Sequence, residues 1–231
     1  MLGSRLDFCT DWYDTLNVPI STEYNKKNGE ILKMSAGRQR AFDKEEALDA
    51  AMTVFWQNGY AGTSMAALTG AMGINKPSLY AAFGNKEDLF IAALRRYIDN
   101  HGKPHTDPLF EAGRPIMERL RNFLKRTAET QCNPNLPGGC LMALSTSESN
   151  ADGFPPNALK AICDTNAQIL DTLTNFFTDE IKAGTLKDSH EPKALALFVI
   201  ALTQGMAVSA KNGASPEDLQ AIIDQAMAAF S

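Results

Sequence analysis

Residues 63–86, TSMAALTGAMGINKPSLYAAFGNK, read as two short helices joined by a tight turn. Thr63 and Ser64 are N-cap types, and Met65, Leu68 and Met72 recur at three- and four-residue spacing, which predicts a short helix with one apolar stripe. Gly73 ends it, because glycine takes the left-handed backbone of a sharp exit, and Ile74 can pack back between the helices. Asn75 caps a second helix, with Lys76 and Pro77 in its first turn, where the N–H that proline lacks would have no helical partner. Leu79 and Phe83 form an inner face, while Lys76, Ser78 and Tyr80 lie outward on a helix start that favours phosphate.

The surrounding charge supports contact with a polyanion at this place only. The 231-residue chain is acidic, with net charge −5, which argues against a protein that coats nucleic acid generally. Yet no Asp or Glu occurs between Asp49 and Glu87. Arg38, Arg40, Lys76 and Lys86 flank or lie within that gap and could each neutralise a phosphate, positioning the protein without reading sequence.

Residues 37–97 as a whole resemble the N-terminal domain of a TetR/AcrR-type transcriptional repressor. The resemblance rests on ordered elements: Phe55-Trp56-Gln57-Asn58-Gly59-Tyr60, Gly62-Thr63-Ser64, Ala71-Met72-Gly73-Ile74, Ser78-Leu79-Tyr80-Ala81-Ala82-Phe83 and Asn85-Lys86-Glu87-Asp88-Leu89. It implies that Thr63 and Ser64 meet a phosphate, that Lys76, Pro77, Ser78 and Leu79 face the major groove beside the cap Asn75, and that Tyr80 and Lys86 contact the backbone. Arg38 and Arg40 are candidates for a minor-groove arm. Phe55, Trp56, Tyr60 and Phe83 read as the small core of this domain. A reading helix this short implies a homodimer on a near-palindromic double-stranded DNA operator.

Residues 1–33 show no sustained period and lack the pattern of a signal peptide; they are expected to be a disordered extension. The DNA-binding domain is expected over 34–97 and a helical effector-binding and dimerisation domain over 98–231. His101 to Pro108 is rich in breakers and reads as a linker, with two histidines poorly placed for a metal. Helical periods return from Arg114 to about Gln131, from Asn157 to about Lys182, from Pro192 to Lys211 and from Pro216 to Phe230, so the chain reads as all-α. Ala194 to Val208 is apolar on nearly every face and must be buried all round. No apolar run is expected to span a bilayer.

The resemblance implies a small-molecule effector in a cavity among the later helices, which on binding alters the spacing of two reading heads. Candidate wall residues are Phe123, Met142, Leu144, Phe176, Phe177 and Met206. The four cysteines, Cys9, Cys132, Cys140 and Cys163, have no CxxC spacing, which disfavours structural zinc and a disulfide framework and fits a reducing cytoplasm. Cys140, after Pro137-Gly138-Gly139 at a helix start, is either a sensor thiol, with Cys132 as a conceivable partner, or a small packing residue. Neither a cofactor motif nor a nucleophile elbow, phosphate loop or HExxH is present. The leading expectation is a ligand-released repressor. A redox- or electrophile-sensing repressor acting through Cys140 stands second, and a helical adaptor or enzyme using the two-helix unit for protein contacts stands third.

Overall fold

The computed structural model describes residues 42–187 and 189–230. Arg38 and Arg40, Cys9 and the expected extension at 1–33 lie outside the described residues. Helices α1 (Lys44–Asn58), α2 (Met65–Met72), α3 (Lys76–Phe83) and α4 (Lys86–Tyr97) come first, and no strand occurs among the described residues. The capping residues do what their chemistry suggests. Ser64 Oγ accepts the Ala67 N–H at 3.1 Å, Asn75 Oδ1 that of Ser78 at 2.9 Å, and Asn85 forms a reciprocal capping box with Asp88. Gly73 leaves α2 in the left-handed region (φ 64°), and the next N–H, of Ile74, returns to the Thr69 carbonyl.

The segment after Tyr97 differs from the expected linker. It continues as a π-helical turn (Ile98–Gly102), α5 (Lys103–Thr106) and a 3-10 turn (Asp107–Phe110). Pro104 and Pro108 each sit in the first turn of their own short helix, where the absent N–H breaks no bond. The breakers therefore punctuate a helical path instead of opening it.

The remaining helices are α6 (Ile116–Gln131), α7 (Leu141–Glu148), α8 (Pro156–Lys182), α9 (Pro192–Lys211) and α10 (Pro216–Ala229). Their core is built from Leu120 and Leu124 of α6, Leu173 and Phe177 of α8, Val199 and Met206 of α9, and Leu219 and Ile223 of α10. Each such side chain contributes about 1.5–3 kcal/mol when fully buried.

Residues Lys44–Ser231 form one compact unit, so the expected division at 97/98 is crossed by short contacts. Trp56 Nε1 donates to the Gly138 carbonyl at 3.1 Å, and Glu148 accepts the Tyr60 N–H at 2.7 Å. Glu87 on α4 accepts the N–H groups of Asn157 and Ala158, capping α8 from outside. A Cβ at Gly139 would lie 2.9 Å from the Ala207 carbonyl oxygen, so this loop approaches α9 as only glycine allows.

The expectation that no segment could span a bilayer is corrected. α9 is long and apolar enough for that by length and composition, because its Gly, Ala, Thr and Gln residues interrupt the apolar run without adding charge. Only 22% of its most apolar window is buried within the chain.

Candidate nucleic-acid interface and effector cavity

The structure separates the head residues by which way they face. Ser64, Asn75, Lys76 and Pro77 are exposed, Ser78 is half-buried, and Tyr80 is 50% exposed. Asn75, Lys76, Pro77 and Ser78 form the N-terminus of α3, where the positive end of the helix dipole meets solvent and Asn75 holds the Ser78 N–H, while Ser64 stands at the start of α2. No carboxylate side chain belongs to α2 or α3.

Two expected contact residues face inward. Leu79 is fully buried, because the inner stripe of α3 must close over the head core, and it is withdrawn as a groove-facing residue. Thr63 is 2% exposed and its Oγ1 donates to the Gly59 carbonyl at 2.6 Å, so its hydroxyl serves the α1–α2 turn. Ser64, not Thr63, caps α2.

Lys86 is half-buried, with Nζ 4.3 Å from the centre of the Tyr60 ring. Burial lowers its pKa and the nearby Glu148 carboxylate opposes that shift. Tyr60 also meets Phe90 and Phe154, and Phe55 packs edge-on against Phe90 at 5.2 Å. Phe55 and Trp56 are buried, as a core requires, while Phe83 is half-buried with Lys44 over its ring. Arg96 is engaged away from α3, bridging Glu45 and Asp49 at 2.7 Å each and fastening α4 to α1.

A second site lies beyond the head. A cavity of about 580 Å³ opens among the end of α4, α5, α6, α7, α8 and α9. Of the six expected wall residues, Phe123 and Met142 line it. Leu144 does not, Phe177 and Met206 are sealed in the helical core, and Phe176 belongs to a separate depression with Phe110 and Arg119. Phe176, Phe177 and Met206 miss the cavity because α8 and α9 turn those positions toward their neighbours in the bundle, a choice that apolar character cannot reveal.

Sequence reasoning missed apolar lining residues such as Ile169, Leu173, Leu197 and Ile200, and every polar one. Tyr97, His105, Gln131 and Asn166 all line the cavity. His105 shares a 2.8 Å hydrogen bond with Thr130, and burial, with His101 and Arg126 adding repulsion, pulls its pKa down to about 4. The one available signal was the helical spacing of His101 and His105, obscured by Gly102 and Pro104.

Cys140 caps the start of α7 without a side-chain cap bond, lines the cavity, and accepts a hydrogen bond from the Tyr97 hydroxyl at 3.2 Å. Burial, with the neighbouring Cys140, holds the Tyr97 phenol well above its usual range, so it remains a donor. Tyr97 in turn packs edge-on against Trp56 at 4.8 Å. Cys132 faces the Ala214 carbonyl instead, and burial raises its thiol pKa. No disulfide joins Cys132 to Cys140.

Comparison with known proteins places this geometry. Residues 47–93 match the model of bacterial regulatory proteins of the tetR family, and residues 117–226 match the tetracyclin repressor-like C-terminal domain. The HTH-type transcriptional repressor ComR of Escherichia coli (strain K12) is 37% identical over 194 residues, 84% of this chain and 91% of ComR. BdcR, another HTH-type transcriptional repressor of that strain, is 40% identical over 106 residues, 46% of this chain and 53% of BdcR. Among solved structures, a cysteine variant of the TetR family regulator CifR complexed with 26-bp operator DNA superposes with a TM-score of 0.78 at 34% identity, over 84% of this chain and 100% of that one. With the head and the helical body each matched and ComR covered over most of its length, the chain belongs to the TetR family of bacterial regulatory proteins.

Proposed function

We propose that the protein is a DNA-binding transcriptional repressor, not an enzyme, that grips a near-palindromic operator as a homodimer and is released by a small molecule. The observation that carries the DNA reading is the start of α3, where Asn75, Lys76, Pro77 and Tyr80 are presented to solvent. Ser64 and Tyr80 are assigned to phosphates and Lys76, Pro77 and Ser78 to the major groove, with Lys86 a reserve contact that must leave the Tyr60 ring to reach DNA. Residues 34–97 are assigned to this head and 98–231 to effector binding and dimerisation. Operator binding places the protein's work in the cytoplasm.

The dimer reading rests on α9, which leaves Leu197, Phe198 and Val208 exposed along one chain. The release mechanism rests on α7. Cys140 and Met142, at its start, stand at the cavity, whereas Glu148, at its end, holds the α1–α2 turn through Tyr60. A ligand that shifts α7 thereby alters the seating of the head.

Cys140 supports a second reading, because its sulfur faces the cavity and touches Tyr97, which packs on Trp56 of the head. Peroxide would transfer one oxygen to the thiolate, giving a sulfenic acid and hydroxide, and the larger polar group would disturb the Tyr97 contact.

Fluorescence anisotropy with the DNA upstream of the protein's own gene tests the main reading. Sequence-specific binding that weakens steeply with salt is expected; weak binding indifferent to salt and sequence would overturn it. Peroxide treatment then separates the two release mechanisms. Loss of the complex in wild type but not in Cys140→Ser supports the thiol switch, and equal retention in both excludes it.

A further inference from the structure

Among the described residues, the cavity of about 580 Å³ is open on one side. Its inner wall is built from buried side chains, Phe123 of α6, Met142 of α7 and Leu173 of α8. Its rim is different, because Gln168 and Ile169 of α8 and Leu197 of α9 also line it and are exposed. Ile169 is 38% exposed and Leu197 50%, so the opening is edged by apolar surface that water still reaches. An apolar ligand seated inside would keep part of its own surface wet there and forfeit the gain from burying it.

That rim is continuous with the uncovered face of α9. At about 100° per residue, Ala201, Gln204 and Val208 fall within about 40° of Leu197 around the helix, so the four share one stripe. Leu197 and Gln204 belong to the stripe and to the cavity wall at once. From Ala194 to Ala210 no Asp, Glu, Lys or Arg occurs, so a charged partner would find nothing on α9 to pair with. A Cβ added at Gly205 would meet nothing within 4 Å, which leaves room for the close approach of another helix. An uncharged face of small and apolar side chains is complementary to itself, and a two-fold pairing presents that same face from both sides.

We propose that a second copy of this chain completes the cavity: its α8 and α9 face lies across the opening edged by Ile169 and Leu197, and each subunit supplies the outer wall of the other's ligand site. This rests on the dimer reading of α9 and on the cavity as the ligand site, and adds that the site is whole only in the dimer. Ligand surface left wet in the single chain is buried in the pair, so the dimer binds the ligand more tightly. By linkage, the ligand strengthens the dimer in return. The ligand class is uncharged and apolar, since Lys103 is the one lining residue with a formal charge and its ammonium is paired with Asp99 at 2.6 Å.

Titration of the full chain with N-phenyl-1-naphthylamine, an uncharged apolar dye that brightens on leaving water, tests it beside analytical ultracentrifugation. Val208→Asp is the monomeric form for comparison, because Val208 lies on the α9 stripe but not on the cavity wall. The dye should bind this variant at least about fivefold more weakly than the wild-type dimer, and a smaller difference overturns the proposal. Val208→Ala, which adds no charge, decides the matter even where the aspartate variant folds poorly. Saturating dye should tighten its dimer at least about 25-fold, as two sites each contribute, and a dimer indifferent to the dye overturns the proposal. So does a wild-type chain with no saturable dye site, or a Val208→Asp chain that remains a dimer. Failure of the dimer reading looks different. A wild-type chain that sediments as a monomer removes that reading and this proposal with it, whereas a wild-type dimer whose dye affinity matches that of the monomer keeps the dimer and rejects the shared wall.

Discussion

Helices α3 and α9 are both left largely uncovered by their own chain, and they are uncovered in opposite ways. α3 shows solvent a lysine, an amide cap and a tyrosine on a helix start of positive potential. α9 shows Leu197, Phe198 and Val208, with little of its apolar surface buried. Exposure alone therefore does not define a partner; the chemistry of the exposed face does. The first surface suits a hydrated polyanion whose counterions are released, and the second suits an apolar surface that excludes water.

The most forceful way to break this contrast is to place a charge on α9. Val208→Asp should convert the dimer to a monomer in analytical ultracentrifugation and weaken operator binding by roughly 1,000-fold, since two linked heads gain their affinity jointly. A dimer that persists would show that α9 is covered by something else. Within α3, Leu79 and Tyr80 sharpen the contrast between inner and outer faces. Leu79→Ala should cost about 2–5 kcal/mol of stability in denaturant unfolding, whereas Tyr80→Ala should leave stability within about 0.5 kcal/mol and weaken DNA binding. Removing the cation with Lys76→Ala should weaken operator binding about tenfold and lower the salt dependence by about one counterion per head; an unchanged salt slope would remove Lys76 from the phosphate contacts.

The smallest effect concerns the cavity and its histidine. His105 has a folded pKa of about 4 against an ordinary value of 6.5, so the unfolded chain binds the proton more readily between those values. Stability should therefore be complete above pH 6.5 and decline as pH falls toward 4, by about 1–2 kcal/mol between pH 7 and pH 5. His105→Gln should flatten that part of the stability profile in thermal unfolding across buffers.

Much of the head was legible because its determinants are local. Ser64, Gly73, Asn75 and Asn85 act on backbone groups within three or four residues, so residue type and spacing are enough. Thr63 shows where that logic ends: a threonine at a helix start can cap outward or bond inward, and the Gly59 carbonyl decided it. The cavity was less legible. Phe123 and Met142 reached it while Phe177 and Met206 entered the core, although all four are large apolar residues. Gln131 and His105 were hard to single out, since one sits at the end of an amphipathic helix and the helical spacing of the other from His101 is masked by Gly102 and Pro104.

The sequence by itself determined the helical class, the turn between α2 and α3, the family, and the polar start of α3, all consequences of backbone chemistry acting over a few residues. Tertiary structure alone decided that Leu79 and Thr63 face inward, that Glu148 meets Tyr60 across 88 positions, and that Gln131, beside the cavity, is buried with its amide bonded to the Thr203 carbonyl. Those outcomes depend on which helix faces pack together, and packing joins residues that no local pattern connects.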